Sequence, residues 1–483
     1  MSPANSTDAD LRDRVPRQIP WLWIGLVVLP FLLAGPVVLQ LVRLRGTQRQ
    51  TAVIRSTQVS VSLGEVVSGK HLEFHRPWLL RDNTGLLEML GFRNNLPVRH
   101  QMKNDGVGVV LFGFASVDGM LNPFQAEFND GRGWKTTSGI ADWTTIRERP
   151  TAQDVVLFAT GSIPRSSRQL QVRLLDFGGT TVAEIARFDF ANPLYDPSAA
   201  VSAHSQLPVT AADRDLSVTL QQLVTGVRNL RWEYERDRSS AAHARLETDC
   251  RNGNFPKAEA NELAFTAAEL TMHLHGKPSH DWAVVKAHFR DPAGNEFDNN
   301  ITNQANDLRI GTGYYYSFSP MMWTGEGPFR VTLDLARERN FAADELLTVT
   351  TVVPPAGMPP AEKLSASVGG TSVTFEGICG ENYKESMGGG GNWSVAHPTA
   401  FLGLEERRGH HAMLTSAVAQ ATSQPVGMIP GDTYDYIATS AGPTRRRKAF
   451  GLWTPPAGTT ITLTFAVTAT RTVEFEAEPS PVK

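Results

Sequence analysis

Two histidines one residue apart, His273 and His275, with His280 and Asp281 close behind, are the side chains best spaced to hold a metal. On a β-strand, residues two apart point to one face, so both imidazoles reach one Zn²⁺ or Cu²⁺. His280 returns from the turn Gly-Lys-Pro-Ser as a third ligand. The bland reading is a hairpin with two solvent-facing histidines, because Leu270, Met272 and Leu274 then make the buried face. No motif calls for a cofactor, and zinc or copper is what this set would take. His410-His411 is a poorer pair, since neighbours on a strand point apart.

Aromatic side chains offer a second kind of chemistry. Tyr314, Tyr315 and Tyr316 lie in one run, and Trp393 follows the glycines Gly388 to Gly391. Such groups stack on carbohydrate or anchor a protein partner. The competing role for alternate tyrosines of a strand is to fill a core. Four consecutive glycines cannot pack a core at all. Arg445 to Lys448 is a cationic run that suits an acidic partner or lipid head groups, with a solvated loop as the plainer reading.

Other motifs carry less. Gly64 to Lys70 has the spacing of a phosphate-binding loop, but His71 stands where magnesium needs Ser or Thr. Asp291 to Asp298 is an acidic turn with too few oxygens for Ca²⁺, which takes about six or more. There is no G-x-S-x-G, H-E-x-x-H or C-x-x-C. Glu405-Glu406 face apart on a strand. A net charge of −3 gives no field for nucleic acid, so no such partner is expected.

These residues sit in a chain patterned for sheets. Period-two alternation between Gly, Pro, Asn and Asp clusters dominates after residue 56, which predicts an all-β protein. Leu170, Val172 and Leu174 align with Val331, Leu333 and Leu335 and with Ile461, Leu463 and Phe465. Each stretch is followed by a second strand, EIARFDFANP, ELLTVTTVVPP or RTVEFEAEPSP. Residues 58–69 resemble 215–226, and 124–133 resemble 285–295. The recurrence predicts three tandem β-sandwich repeats, at 57–197, 214–356 and 361–479, joined by Pro-rich linkers such as VVPPAGMPPAEK. Residues 231–257 read as a charged, weakly helical insertion. In general shape the arrangement resembles immunoglobulin-like or C2-like arrays, without the signature of a named family.

Ahead of the repeats, Trp21 to Val42 is an uncharged apolar run. At 1.5 Å per residue it spans a hydrocarbon core of about 30 Å as a transmembrane helix after a tail at 1–20. Its length and Pro36 argue against a cleaved signal peptide. Arginines flank it on both sides, so charge does not set orientation. The short tail and long body favour a single-pass signal anchor with the bulk extracytoplasmic. Cys250 and Cys379 fall in different repeats and read as separate buried thiols. The expected function is a membrane-anchored, non-enzymatic scaffold or interaction protein that meets another protein or an envelope component. The alternative is an envelope-associated enzyme, or a carbohydrate- or metal-binding protein with its site in 214–356.

Overall fold

Alternation puts the aligned triads where it should. Leu170, Val172, Leu174, Val331, Leu333, Leu335, Ile461, Leu463 and Phe465 are all buried, at 0–2% exposure. The chain is all-β and β-sandwich-like, with short helical insertions. The structure is a computed structural model. It describes residues 48–482 apart from 55–56, 75–97, 115–123, 139, 145–153, 162, 177–182, 201–206, 237–238, 260–261, 301–306, 311–312, 319–320, 362, 387–391, 405–408, 439–444 and 454. The apolar run Trp21–Val42 lies outside the described residues. Among the described residues no helix is long and apolar enough to cross a membrane.

The first part contributes β1 (Gln48–Ile54), β2 (Thr57–Phe74), β3 (Val98–Phe114), β4 (Phe124–Asn129), β5 (Lys135–Ser138), β6 (Ile140–Thr144), β7 (Asp154–Thr160), β8 (Gln169–Asp176) and β9 (Ala183–Ala191). They form two sheets, ordered β1-β2-β3-β7-β6 and β5-β4-β8-β9. Their inner faces share one core through Val109, Phe128, Phe158 and Val172. Edge strands are templates for unwanted pairing unless they are covered. Here two side chains of β1 cover β9. Gln48 donates to Asp189 O at 2.6 Å, and Gln50 both donates to Arg187 O and accepts from Arg187 N.

The second part supplies β10 (Val209–Asp213), β11 (Leu216–Val227), helices α1 (Leu230–Arg236) and α2 (Ser240–Arg251), β12 (Phe265–Leu274), β13 (Lys277–Pro278), β14 (Trp282–Arg290), β15 (Glu296–Asn300), β16 (Asp307–Ile310), β17 (Gly313–Phe318) and β18 (Phe329–Arg337). The third supplies β19 (Leu346–Val352), β20 (Leu364–Val368), β21 (Thr371–Cys379), β22 (Lys384–Ser386), β23 (Asn392–Ser394), β24 (Thr399–Leu404), β25 (His410–Ala419), β26 (Gln424–Pro425), β27 (Met428–Ala438), β28 (Arg445–Leu452), β29 (Thr460–Ala469), β30 (Arg471–Ala477) and β31 (Ser480–Pro481). The five-strand order returns as β10-β11-β12-β17-β16 and as β20-β21-β24-β28-β27.

The four-strand order returns too, but with its last members traded. It reads β15-β14-β18-β30 in the second sheet pair and β26-β25-β29-β19 in the third. By analogy with the β8–β9 hairpin, β19 should lie on β18 and β30 on β29. Instead β30 pairs with β18 from Phe329↔Ala477 to Leu335↔Arg471, and β19 pairs with β29 from Leu346↔Ala466 to Val352↔Thr460. The assignment of each closing strand to its own stretch of sequence is thereby corrected. Only Thr470 separates β29 from β30, and a hairpin needs about two residues to reverse the chain. The strand therefore runs straight on into the neighbouring sheet.

The exchange also moves the Pro-rich segment 353–363. It joins β19 to β20, both in the third pair, and does not space two domains. Its backbone is tied down, with Val353 N donating to Thr459 O at 2.9 Å and Gly357 N to Glu381 O at 2.7 Å. The first and second pairs share a continuous core, and the third has its own. Cys250 and Cys379 are buried in separate clusters, and burial pushes the Cys250 thiol up to about 12. Leu333→Ala should cost about 2–5 kcal/mol and Thr332→Ala much less, by chemical denaturation, because only Leu333 faces the core.

Candidate functional site

A cleft lies between the first and second sheet pairs, with a volume of about 780 Å³. Its floor is the outer face of the β5-β4-β8-β9 sheet. Ala126 and Phe128 point into the core, so Glu127 and Asn129 point the other way. Registers then build two rungs across the sheet: Glu127, Arg173 and Arg187, and beside it Asn129, Gln171 and Asp189.

The first rung is an ion-pair chain. Arg173 Nη1 meets Glu127 Oε1 at 2.9 Å and its Nε meets Glu184 Oε2 at 2.7 Å, while Arg187 Nη2 meets Glu184 at 2.8 Å. Glu127 is only 2% exposed although it faces away from the sheet-to-sheet core. Burial holds its carboxyl above the ordinary range, against the pull of Lys135 and Arg173. Burial likewise lowers Lys135, whose ammonium donates to the Glu259 and Glu262 carbonyls of the covering segment. The second rung is neutral at its centre. Asn129 Nδ2 reaches Gln171 Oε1 at 3.4 Å, and Gln171 donates to Asp189 Oδ1 at 2.7 Å.

The far wall is aromatic and sulfur-bearing. Trp134 and Trp323 meet edge to face, 6.2 Å between centroids at 86°. Trp134 Nε1 donates to Met321 O at 3.2 Å, and Trp323 Nε1 to the buried Glu326 at 2.9 Å. Thr225 donates to Met322 O at 2.6 Å. The C-terminal Pro481 and Val482 complete the lining, with Val482 N on Thr225 O at 2.9 Å.

Away from the cleft, the same seam is closed by charge and by one amide. Asn104 donates to Glu296 O and accepts from Glu296 N, as a strand would. Asp298 meets His288 at 2.7 Å and Lys286 and Lys103 at 3.3 Å. Burial opposes ionisation there, but the His288 hydrogen bond and the two lysines outweigh it and hold the carboxyl at about 2. A carboxylate depressed below its unfolded value of about 3.9 adds stability above that pH and loses it as pH falls toward 2. The wild-type melting temperature should therefore drop more steeply between about pH 4 and 2 than that of Asp298→Asn, as read by circular dichroism.

The residues singled out from sequence fall elsewhere. His273 sits in β12, but the strand ends at Leu274. His275 and Gly276 form a left-handed two-residue turn, at φ +50° and +75°. The same-face argument fails there, and the His275 ring turns to Asp215 at 3.0 Å. His280 is exposed, with its ring 6.0 Å from that of Tyr314. No group of three or more His, Cys, Asp or Glu among the described residues is placed to hold a metal.

Tyr314, Tyr315 and Tyr316 are 0–1% exposed, so they form no recognition surface. The Tyr316 hydroxyl accepts from Val284 N at 3.0 Å, and Tyr315 donates to Glu269 at 2.9 Å. Two faces are buried because helices α1 and α2 cover the outer side of this sheet, where Tyr315 packs with Leu230, Cys250 and Phe255. Trp393 lies in β23, opposite Glu385.

The cationic run is not a loop. It begins β28, with Arg447 and Lys448 buried. Arg447 meets Glu376 at 2.7 Å and lies over the Phe401 ring at 4.6 Å, and Lys448 donates to Ala412 O. Gly64 to Lys70 lies inside β2, which continues to Phe74, with bulges at Leu63/Glu65 and Gly69/His71. Asp291 closes the β14–β15 turn through Asn295 N and Nδ2, at 2.8 and 2.9 Å. Glu405 and Glu406 lie outside the described residues.

The cleft residues were present in the sequence only as the polar half of two alternating strands. Any solvated face reads the same way; coverage by the second pair is what sets this one apart. Comparison of the chain with family models, with curated proteins and with solved structures finds no match.

Proposed function

We propose that this chain is a membrane-anchored, non-enzymatic scaffold or interaction protein. An apolar helix over Trp21–Val42 holds it in the bilayer as a single-pass signal anchor with the bulk extracytoplasmic. Three tandem β-sandwich domains of immunoglobulin-like or C2-like shape then carry the interaction surfaces, toward another protein or an envelope component. The observation that carries this reading is one strand order occurring three times, with the closing strands of the second and third copies traded. Traded strands hold two copies in fixed relation, which suits a body that presents surfaces at set positions.

Membrane fractionation tests the anchor. The full chain should stay with membranes through a high-salt wash, and a variant lacking residues 1–50 should appear folded in the soluble fraction. Retention of the truncated chain in the membrane would end the single-anchor reading. Protease added to intact cells should digest the body from outside, and protection there would reverse the orientation.

A further inference from the structure

We infer that β19 is a docking edge for a second copy of this chain, which pairs with it strand to strand about a twofold axis. This goes beyond the scaffold reading and does not depend on the anchor. An edge strand offers a row of unpaired N–H and C=O groups, and folded proteins usually blunt it with a charge, a proline, a bulge or a cover. The other two four-strand sheets are covered at the matching edge. Gln48 and Gln50 of β1 bond the β9 backbone. β10 lies against β30, where Arg471 donates to Asp213 O.

β19 has no such guard. Leu-Leu-Thr-Val-Thr-Thr-Val, 346–352, carries no charge, proline or glycine. Its pairing with β29 runs from Leu346↔Ala466 to Val352↔Thr460 without a bulge. Val353 N donates to Thr459 O, so alternation turns the backbone of Leu347, Val349 and Thr351 toward β29 as well. Leu346, Thr348, Thr350 and Val352 turn theirs outward. Among the described residues, no hydrogen bond reaches that outward row except Leu346 N to Ala343 O. The segment that follows β19 turns away from this edge, with Gly357 N on Glu381 O at 2.7 Å.

The row fits a copy of itself. About a twofold axis at Val349, Thr348 lies opposite Thr350 of the second copy, and Leu346 lies opposite its Val352. Every outward residue then faces an outward residue, and about six hydrogen bonds form. Leu346 and Val352 are 37% and 50% exposed, among the few large apolar side chains open to water in the described residues, and this register sets them against each other. Thr348 and Thr350 already meet Thr464 and Thr462 at 3.3 and 3.2 Å. The joined sheet continues that row of threonines across the axis, and Thr–Thr pairs on neighbouring strands are favourable. Pairing uses up both edges, so association stops at two.

The test is light scattering on the full chain after gel filtration in detergent, at about 100 μM protein. The protein mass should be that of two chains. Thr348→Lys/Thr350→Lys sets lysines opposite lysines and should reduce it to one. Both side chains are exposed, so the variant should keep the wild-type circular dichroism spectrum. Register is read by incubating a Thr348→Cys chain with a Thr350→Cys chain under mild oxidation. The mixture should cross-link, since opposite Cα atoms lie about 5.5 Å apart. Either variant alone should cross-link about tenfold less, since its cysteines lie on a diagonal of about 7–8 Å. Native Cys250 and Cys379 are buried and stay out of the reaction. A wild-type mass of one chain would overturn the inference and leave the edge to a strand of a different protein. So would a two-chain mass that survives the lysine variant, or a mixture that cross-links no better than its components. None of these outcomes bears on membrane retention, so the two readings fail separately.

Discussion

Removing residues 471–483 should unfold the second sheet pair, although every residue between 209 and 337 remains. β30 buries Val473, Phe475 and Ala477 against that pair and fills the place beside β18. Without it the Val331, Leu333 and Leu335 strand becomes an edge with an open core. Phe475→Ala alone should cost about 3–5 kcal/mol. For the same reason the piece 214–356 should not fold by itself, and should regain structure when 471–482 is supplied as a peptide.

Cross-linking tests the exchange directly. Thr332 lies opposite Glu474. The variant Thr332→Cys/Glu474→Cys should form an intramolecular disulfide on mild oxidation, and Thr332→Cys/Thr350→Cys should not. The reverse result would restore the ordinary hairpin and remove the exchange.

Trp323→Ala should have the second large effect, at the seam between the first and second pairs. The ring is 3% exposed and packs on Trp134 and Phe329. Its loss should cost about 3–5 kcal/mol as a cavity. It also strips Glu326, 5% exposed, of an indole donor. Trp323→Phe loses the same donor but keeps most of the ring volume, so it should cost less, about 1–3 kcal/mol. Denaturant midpoints of the two variants separate packing from the hydrogen bond. Equal costs would mean that packing contributes little at this seam.

Side-chain alternation made much of the fold legible. The triads at 170–174, 331–335 and 461–465 and the turn at Asp291–Asn295 all read correctly, because both are local. Strand partners did not read correctly, because pairing depends on how the chain returns. The clue was nonetheless in the letters. Gly178 and Gly179 lie between β8 and β9, whereas Ala-Val-Thr-Ala-Thr-Arg-Thr-Val, 466–473, has no Gly, Pro, Asn or Asp to turn on. The metal candidate failed one residue past a strand end, where His275 takes the left-handed turn and the two-residue period stops. The tyrosines failed because both faces of β17 are covered, and a charged insertion gives no sign of which sheet it will lie on.

The chain passes between the second and third sheet pairs twice, once through 338–345 and once through Thr470. A single proteolytic nick in either crossing therefore leaves the two pairs tethered through the other. A pull along the two-stranded ribbon is likewise shared by two covalent lines. To part the pairs, β30 would have to slide lengthwise out from β18, breaking its rungs together in shear and not one after another as an end-pulled hairpin does. Under load, the joint between these two pairs should outlast the sheets on either side of it.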